Sequence, residues 1–143
     1  GLTNVEVQNF DASILDENSI DKFDYVLADV PCSGLGIIRR KPEIKFKLKS
    51  EIKDLPVLQK QILENASKYV KVGGNLLYST CTILDSENIE VVNNFIKEND
   101  NFELVPINEV NVDLDNQDKG YLKIYPNIHG MDGFFIAKLK RVR

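Results

Sequence analysis

Two short apolar runs, each ending in a cysteine-bearing motif, restrict what this chain can become more than anything else in it. The first is Tyr25-Val26-Leu27-Ala28, followed by Asp29-Val30-Pro31-Cys32-Ser33-Gly34; the second is Asn75-Leu76-Leu77-Tyr78-Ser79, followed by Thr80-Cys81-Thr82. Continuous apolar runs of this length suit strands of a parallel sheet covered on both faces. In an open α/β sheet, ligands occupy the crevice beyond the carboxyl ends of the strands. Two such strands as neighbours aim both thiols at one site, with the Asp29 carboxylate just ahead of the first.

The remaining sequence alternates in the same sense. Val5 to Phe10 places apolar residues near alternate positions and ends at Asp11, predicting a first strand that leads into a loop. Pro31, Gly34, Gly36 and Pro42 predict a loop of functional length over residues 30–43. A helix follows: Pro56 suits its first turn, Leu55, Leu58, Ile62, Ala66 and Tyr69 recur at helical spacing, and Gly73-Gly74 supplies a stop. After the strand Asn75–Ser79, Asp85 offers an N-cap, with Leu84 and Ile89 as a hydrophobic staple, for a helix burying Ile89, Val92, Phe95 and Ile96. Residues 108–120 are polar and acidic and predict a surface loop, and Gly133 to Leu139 reads as a closing strand. Helices alternating with strands predict an α/β fold with a largely parallel sheet. With no repeat and no linker, 1–143 reads as one domain.

Composition excludes several classes. At 143 residues, a single domain can bury about two-thirds of its unfolded surface. No apolar run approaches the roughly 20 residues needed to span a bilayer, so no membrane role is implied. A net charge of −4 argues against a free-standing nucleic-acid binder. Charge is uneven, however: Arg39, Arg40, Lys41, Lys45, Lys47 and Lys49 cluster with Glu43 as their only acid, which beside the predicted site favours phosphate contact. Lys138, Lys140, Arg141 and Arg143 form a second cluster that reads equally well as a solvated face. Two cysteines without a signal sequence make no secreted disulfide framework, and no metal site is expected, because zinc needs four closely spaced Cys or His ligands. His129 reads as a loop residue rather than a ligand or base. The opening Gly1-Leu2-Thr3-Asn4 lacks an initiator Met and reads as a cut end.

A single Cys in a strand is usually inert core, but here both motifs occur with matching flanks. Asp29-Val30-Pro31-Cys32-Ser33-Gly34 and Tyr78-Ser79-Thr80-Cys81-Thr82 resemble the two signature motifs of the Sun (Fmu) family of RNA cytosine-carbon-5 methyltransferases. Ile37 to Lys45 is similar to that family's basic stretch, Glu87-Asn88 to its Glu-Asn helix start, and Asp132-Gly133-Phe134-Phe135 to its last motif. The resemblance runs from about Asp11 to Lys140. It departs at Phe46, where Trp is common, and at Thr82, where Ser is common.

This resemblance implies a Rossmann-like, S-adenosylmethionine-dependent methyltransferase fold, truncated to roughly its third to seventh strands, and a cytoplasmic enzyme acting on ribosomal RNA, specifically the small-subunit 16S molecule. Carbon 5 of cytosine is a poor nucleophile, and addition of a thiolate to carbon 6 turns the ring into an enamine able to attack a methyl sulfonium. By the resemblance, Cys81 is the nucleophile, Cys32 assists elimination, and Asp29 binds both the base and the donor's methionine end. Pro31 joins Asp29 at the cofactor, Asp11 meets its adenine, and Arg39, Arg40, Lys41 and Lys45 meet RNA. DNA cytosine methyltransferases use a Pro-Cys thiol instead, so the residues alone leave the two cysteine roles open.

Two expected parts are missing: a Gly-rich turn after a first strand, and an acidic residue after a second for the donor's ribose. The chain therefore reads as the C-terminal part of a catalytic domain, without the first two strands and an N-terminal RNA-binding domain. It is expected to bind S-adenosylmethionine weakly, to be inactive alone, and to self-associate through an open strand edge. Two other classes fit the same residues, a dithiol redox protein and a non-catalytic RNA-binding fragment.

Overall fold

A computed structural model describes residues 2–47, 49–108 and 114–143. Within them the two apolar runs are adjacent parallel strands, β1 (Phe23–Asp29) and β2 (Val70–Thr80), paired from Tyr25 opposite Asn75 to Asp29 opposite Ser79. The crossover between them carries a single turn, α1 (Lys49–Ile52), and the long helix α2 (Leu55–Tyr69). After β2 come α3 (Ile89–Glu98), β3 (Phe102–Leu104), β4 (Tyr121–Ile124), the short α4 (Pro126–His129) and β5 (Phe134–Arg141).

The sheet runs β1-β2-β5-β3, with β4 also paired to β5. Because β5 is antiparallel to β2, β3 and β4, it alone runs against the other strands. The predicted parallel arrangement therefore holds for strand direction, while β1 with β2 is the one parallel hydrogen-bonded pair among the described residues. Helical crossovers return the chain in the same direction twice, and β5 enters last between their products. This is a mixed α/β fold, a truncated Rossmann-like sheet.

Alternation along the strands decides what is buried. Leu76 and Tyr78 of β2, Phe135, Ala137 and Leu139 of β5, and Ala28 of β1 point toward α2 and α3, where Leu63, Ala66, Val91, Val92 and Phe95 complete the core. The opposite face departs from the expected double cover. Tyr25 and Leu27 of β1 are 76% and 64% exposed, and no helix among the described residues covers them.

Three predicted elements differ in detail. Val5 to Phe10 forms no strand, and Val7 is 87% exposed; among the described residues no strand pairs with the segment, so nothing favours a ladder. The chain is captured only afterwards, where Asn65 Nδ2 and Gln61 Nε2 donate to the carbonyls of Ala12 and Ser13. Gly73-Gly74 does not stop α2. The helix ends at Tyr69 because the N–H groups of Asp21 and Lys22 take the carbonyls of Lys68 and Tyr69, and the chain enters β2 directly. Gly73 (φ 83°) instead bends β2 where the register with β1 shifts, and a Cβ on Gly74 would stand 2.8 Å from the Asp24 carbonyl oxygen. Asp85 opens a 3₁₀ turn (Asp85–Glu87) rather than capping α3, and its carboxylate accepts from Lys123 Nζ at 2.7 Å. Asn88 stands at the helix start instead, its side chain engaged elsewhere. Val92 and Phe95 are buried as predicted, Ile89 and Ile96 partly so.

Of the predicted surface loop, residues 109–113 lie outside the described residues, and Gln117–Lys119 forms a 3₁₀ turn. His129 ends α4, where its Nδ1 accepts from the Tyr125 N–H at 2.9 Å. Among the described residues no helix is long and apolar enough to cross a membrane.

Phe95 tests the helix-to-sheet packing. It is fully buried, edge-on to Phe102 at 5.5 Å between ring centroids. Phe95→Ala is expected to destabilise the fold by about 3–5 kcal/mol, read as a lowered midpoint in urea denaturation; a shift below about 1 kcal/mol would contradict this core.

Candidate active site

The β1–β2 register carries directly into the site. At the strand ends Ser79 Oγ donates to the Asp29 carboxylate at 2.7 Å, and the Val30 N–H donates to the Ser79 carbonyl at 3.1 Å. Both chains then turn off the same edge of the sheet. Their thiols meet: Cys32 Sγ and Cys81 Sγ are 3.3 Å apart, each partly exposed.

Backbone contacts hold the two turns together from the other side. The Gly36 N–H donates to the Cys81 carbonyl at 3.0 Å, and the Gly133 N–H donates to the Gly36 carbonyl at 2.8 Å. A Cβ on Gly36 would lie 2.2 Å from the Gly133 carbonyl oxygen and 2.8 Å from that of Cys81, so only glycine fits. The Asp132-Gly133-Phe134-Phe135 motif is thereby packed onto the cysteine turns.

Beneath the thiols lies a buried polar cluster. The Glu87 carboxylate, 1% exposed, accepts from the Ser33 N–H at 2.8 Å, from Gln59 Nε2 at 2.9 Å and from the Thr82 hydroxyl at 3.3 Å. Ser33 Oγ lies 2.8 Å from Thr82 Oγ1. Gln59 Nε2 also donates to the Pro31 carbonyl at 2.9 Å. Thr80 Oγ1 donates to Asn88 Oδ1 at 2.5 Å, Asn88 Nδ2 to the Thr82 carbonyl at 3.0 Å, and the Tyr78 hydroxyl to the Glu87 carbonyl at 2.6 Å. Burial, reinforced by Glu87, pushes the Tyr78 hydroxyl pKa up, keeping it a donor.

Comparison with known proteins places the chain in a family. Residues 1–140 match the family described as 16S rRNA methyltransferase RsmB/F. The chain belongs to that family. It is 38% identical to the Bacillus subtilis protein "Probable ribosomal RNA small subunit methyltransferase B" over 99% of this chain and 33% of that protein. It is 34% identical to "Ribosomal RNA small subunit methyltransferase F" of Salmonella arizonae, over 99% of this chain and 30% of that one. The solved structure of NSun6 from Pyrococcus horikoshii with SFG matches with a TM-score of 0.83 at 30% identity, covering 99% of this chain and 35% of that one. This RsmB/F chain thus spans about a third of the length of such relatives.

Within the RsmB/F chain the other singled-out residues fall in three places. Asp29 is exposed on the uncovered face, its carboxylate engaged by Ser79. Pro31 is exposed beside Cys32, its carbonyl held by Gln59. Asp11 forms a turn: the Ser13 N–H and hydroxyl donate to Oδ1 at 2.9 and 2.7 Å, and these bonds lower its pKa below the usual carboxylate value. Arg39, Arg40, Lys41 and Lys45 are all exposed on the turns after Cys32, with Arg40 paired to Asp132. Among the described residues no three His, Cys, Asp or Glu side chains gather as metal ligands.

Two contributors escaped sequence reasoning. Gln59 sits on the apolar stripe of α2, four positions after Leu55, and a polar residue on such a stripe is the signal that it has a buried partner. Glu87 was visible only as part of a motif.

Burial, then the hydrogen bond and charge of Cys81, push the Cys32 thiol up to about 12, so near neutral pH Cys32 keeps its proton. A pKa raised on folding favours the folded state below the unfolded value of 9.0, and that contribution is lost as pH rises through about 12. Iodoacetamide at pH 8 should therefore label Cys32 about tenfold or more slowly in the folded chain than in urea, followed by peptide mass mapping. Equal rates would refute the assignment.

Proposed function

We propose that this chain is the catalytic part of an enzyme that transfers a methyl group from S-adenosylmethionine to carbon 5 of a cytosine in small-subunit ribosomal RNA, through a covalent adduct on Cys81. The observation carrying this reading is the 3.3 Å pairing of two thiols at the carboxyl edge of two parallel strands. The family membership and the names of the relatives support rRNA as substrate. A neighbour determined with SFG, an analogue of S-adenosylmethionine, supports the donor.

The steps follow from the residues. The Cys81 thiolate adds to carbon 6, and the electron pair released toward carbon 5 makes that carbon the nucleophile. S-adenosylmethionine, when bound, supplies an electrophilic methyl group. Loss of the carbon 5 proton to a base re-forms the carbon 5–carbon 6 double bond and breaks the carbon–sulfur bond. Cys32, a thiol in contact with the departing sulfur, assists elimination by giving a hydrogen bond to the thiolate as it leaves. The exposed Asp29 carboxylate, oriented by Ser79, is an acceptor suited to the cytosine edge and the donor's methionine end, with Pro31 beside it. Asp11 would meet the adenine, and Arg39, Arg40, Lys41 and Lys45 the RNA phosphates.

Asp29 and Asp11 offer only acceptors, and the backbone cradle that would grip the donor has no counterpart among the singled-out motifs. The chain alone is therefore proposed to bind S-adenosylmethionine weakly and not to turn over. Its uncovered β1 is proposed as a self-association edge, and its compartment as the cytoplasm. The thiol contact also favours one other reading, a dithiol that closes on oxidation; a count of two free thiols persisting under mild oxidant would remove it.

In the intact parent enzyme, Cys32→Ser should accumulate a protein–RNA adduct that survives denaturant in a gel, because attack proceeds while release is slowed. Cys81→Ser should abolish both adduct and methylation, and the double variant should show no band. The opposite pattern would reverse the two roles. Bisulfite sequencing of 16S rRNA from cells lacking the parent gene should show loss of one protected cytosine; unchanged protection would refute the substrate.

A further inference from the structure

Each thiol is followed by a residue that bonds to the same buried side chain. Ser33, next after Cys32, gives its N–H to Glu87 Oε2; Thr82, next after Cys81, gives its hydroxyl to Glu87 Oε1. Counting protons fixes the direction of the chain of bonds. Thr82 has one hydroxyl hydrogen, and with that hydrogen on Glu87, its oxygen accepts from Ser33 Oγ–H at 2.8 Å and from the Leu84 N–H at 3.3 Å. Glu87 thus meets donors from both cysteine turns, and a third from α2 through Gln59.

The Gln59 amide shows how firmly these acceptors dictate their surroundings. Its Nε2 is claimed by Glu87 and by the Pro31 carbonyl, while its Oε1 is buried without a partner. A flipped amide would set oxygen against both acceptors, which costs more than one unsatisfied atom.

We propose that Glu87 is a positioning residue that sets the spacing between the Cys32 and Cys81 thiols by holding residues 33 and 82 on the two oxygens of one carboxylate. It acts through the Ser33 N–H on one turn and the Thr82 hydroxyl on the other. Its value to methyl transfer rests on the reading of Cys81 as nucleophile, whereas the spacing itself does not.

The test uses phenylarsine oxide, whose arsenic condenses with two thiols to form two As–S bonds and release one water. Capture demands adjacent sulfurs and needs neither RNA nor cofactor, so failure of the methyl-transfer reading would leave the result intact. At a temperature where circular dichroism shows each variant folded, Glu87→Met should weaken capture about tenfold or more, the scale of a lost buried hydrogen-bond set. Thr82→Val should weaken it in the same direction, and Thr82→Ser, which keeps the hydroxyl, should restore wild-type capture. A purely structural role would lower the melting temperature and leave capture by folded protein unchanged, which would overturn the proposal. If Glu87→Met does not fold, undiminished capture by Thr82→Val overturns it, as does failure of the wild-type chain to capture the reagent at all.

Discussion

Everything at this site descends from one register. Asp29 lies opposite Ser79 in a parallel pair, and a parallel pair sends both strands out of the sheet over the same edge. An antiparallel pairing of the same two sequences would place the cysteines at opposite ends. The register is specified by the pleat: Ala28 and Tyr78 must face the helices, so a slip of β1 by one residue against β2 would expose Ala28 and bury Asp29. The glycine bend at Gly73-Gly74 absorbs the mismatch upstream, so the pairing near the thiols stays regular.

The polar cluster under that edge is a costly design. Glu87, Asn88, Gln59, Thr80, Thr82 and Ser33 are all buried, and a partly satisfied network is worse than an apolar core. Here almost every group has a partner, leaving the Gln59 Oε1 atom as the one buried side-chain exception among the described residues. An apolar filling would pack the turns without specifying their relative height. Directional bonds do specify it, and 3.3 Å between sulfurs leaves little tolerance.

The sequence made β1, β2, β5 and the convergence of the thiols legible, because continuous apolar runs and the cysteine motifs are local signals, while β4 (Tyr121–Ile124) carried no such run. The extent of α2 was not, since its end depends on Asp21 and Lys22, remote residues that take its last carbonyls. Val5 to Phe10 alternates well enough for a strand, yet a strand needs a neighbour, and alternation cannot report whether one exists. Asp85 had the chemistry of an N-cap but found Lys123 instead. Glu87 and Gln59 were hidden because a buried polar group acquires meaning only through partners distant in sequence.

The position of β5 carries a consequence for synthesis. Among the described strands it comes latest in chain order, yet it lies between β2 and the β3 and β4 strands and supplies Phe135, Ala137 and Leu139 to the core. Until it emerges from the ribosome, β2 has an unsatisfied edge and the packed layer lacks its middle. Non-local closure of this kind is slow, and it leaves a nascent chain with exposed apolar surface. Gly133, which clamps Gly36 against the Cys81 turn, arrives in the same final segment. The β1–β2 register can bring the thiols to one edge before this segment is made, but the clamp that holds Gly36 on the Cys81 turn needs it.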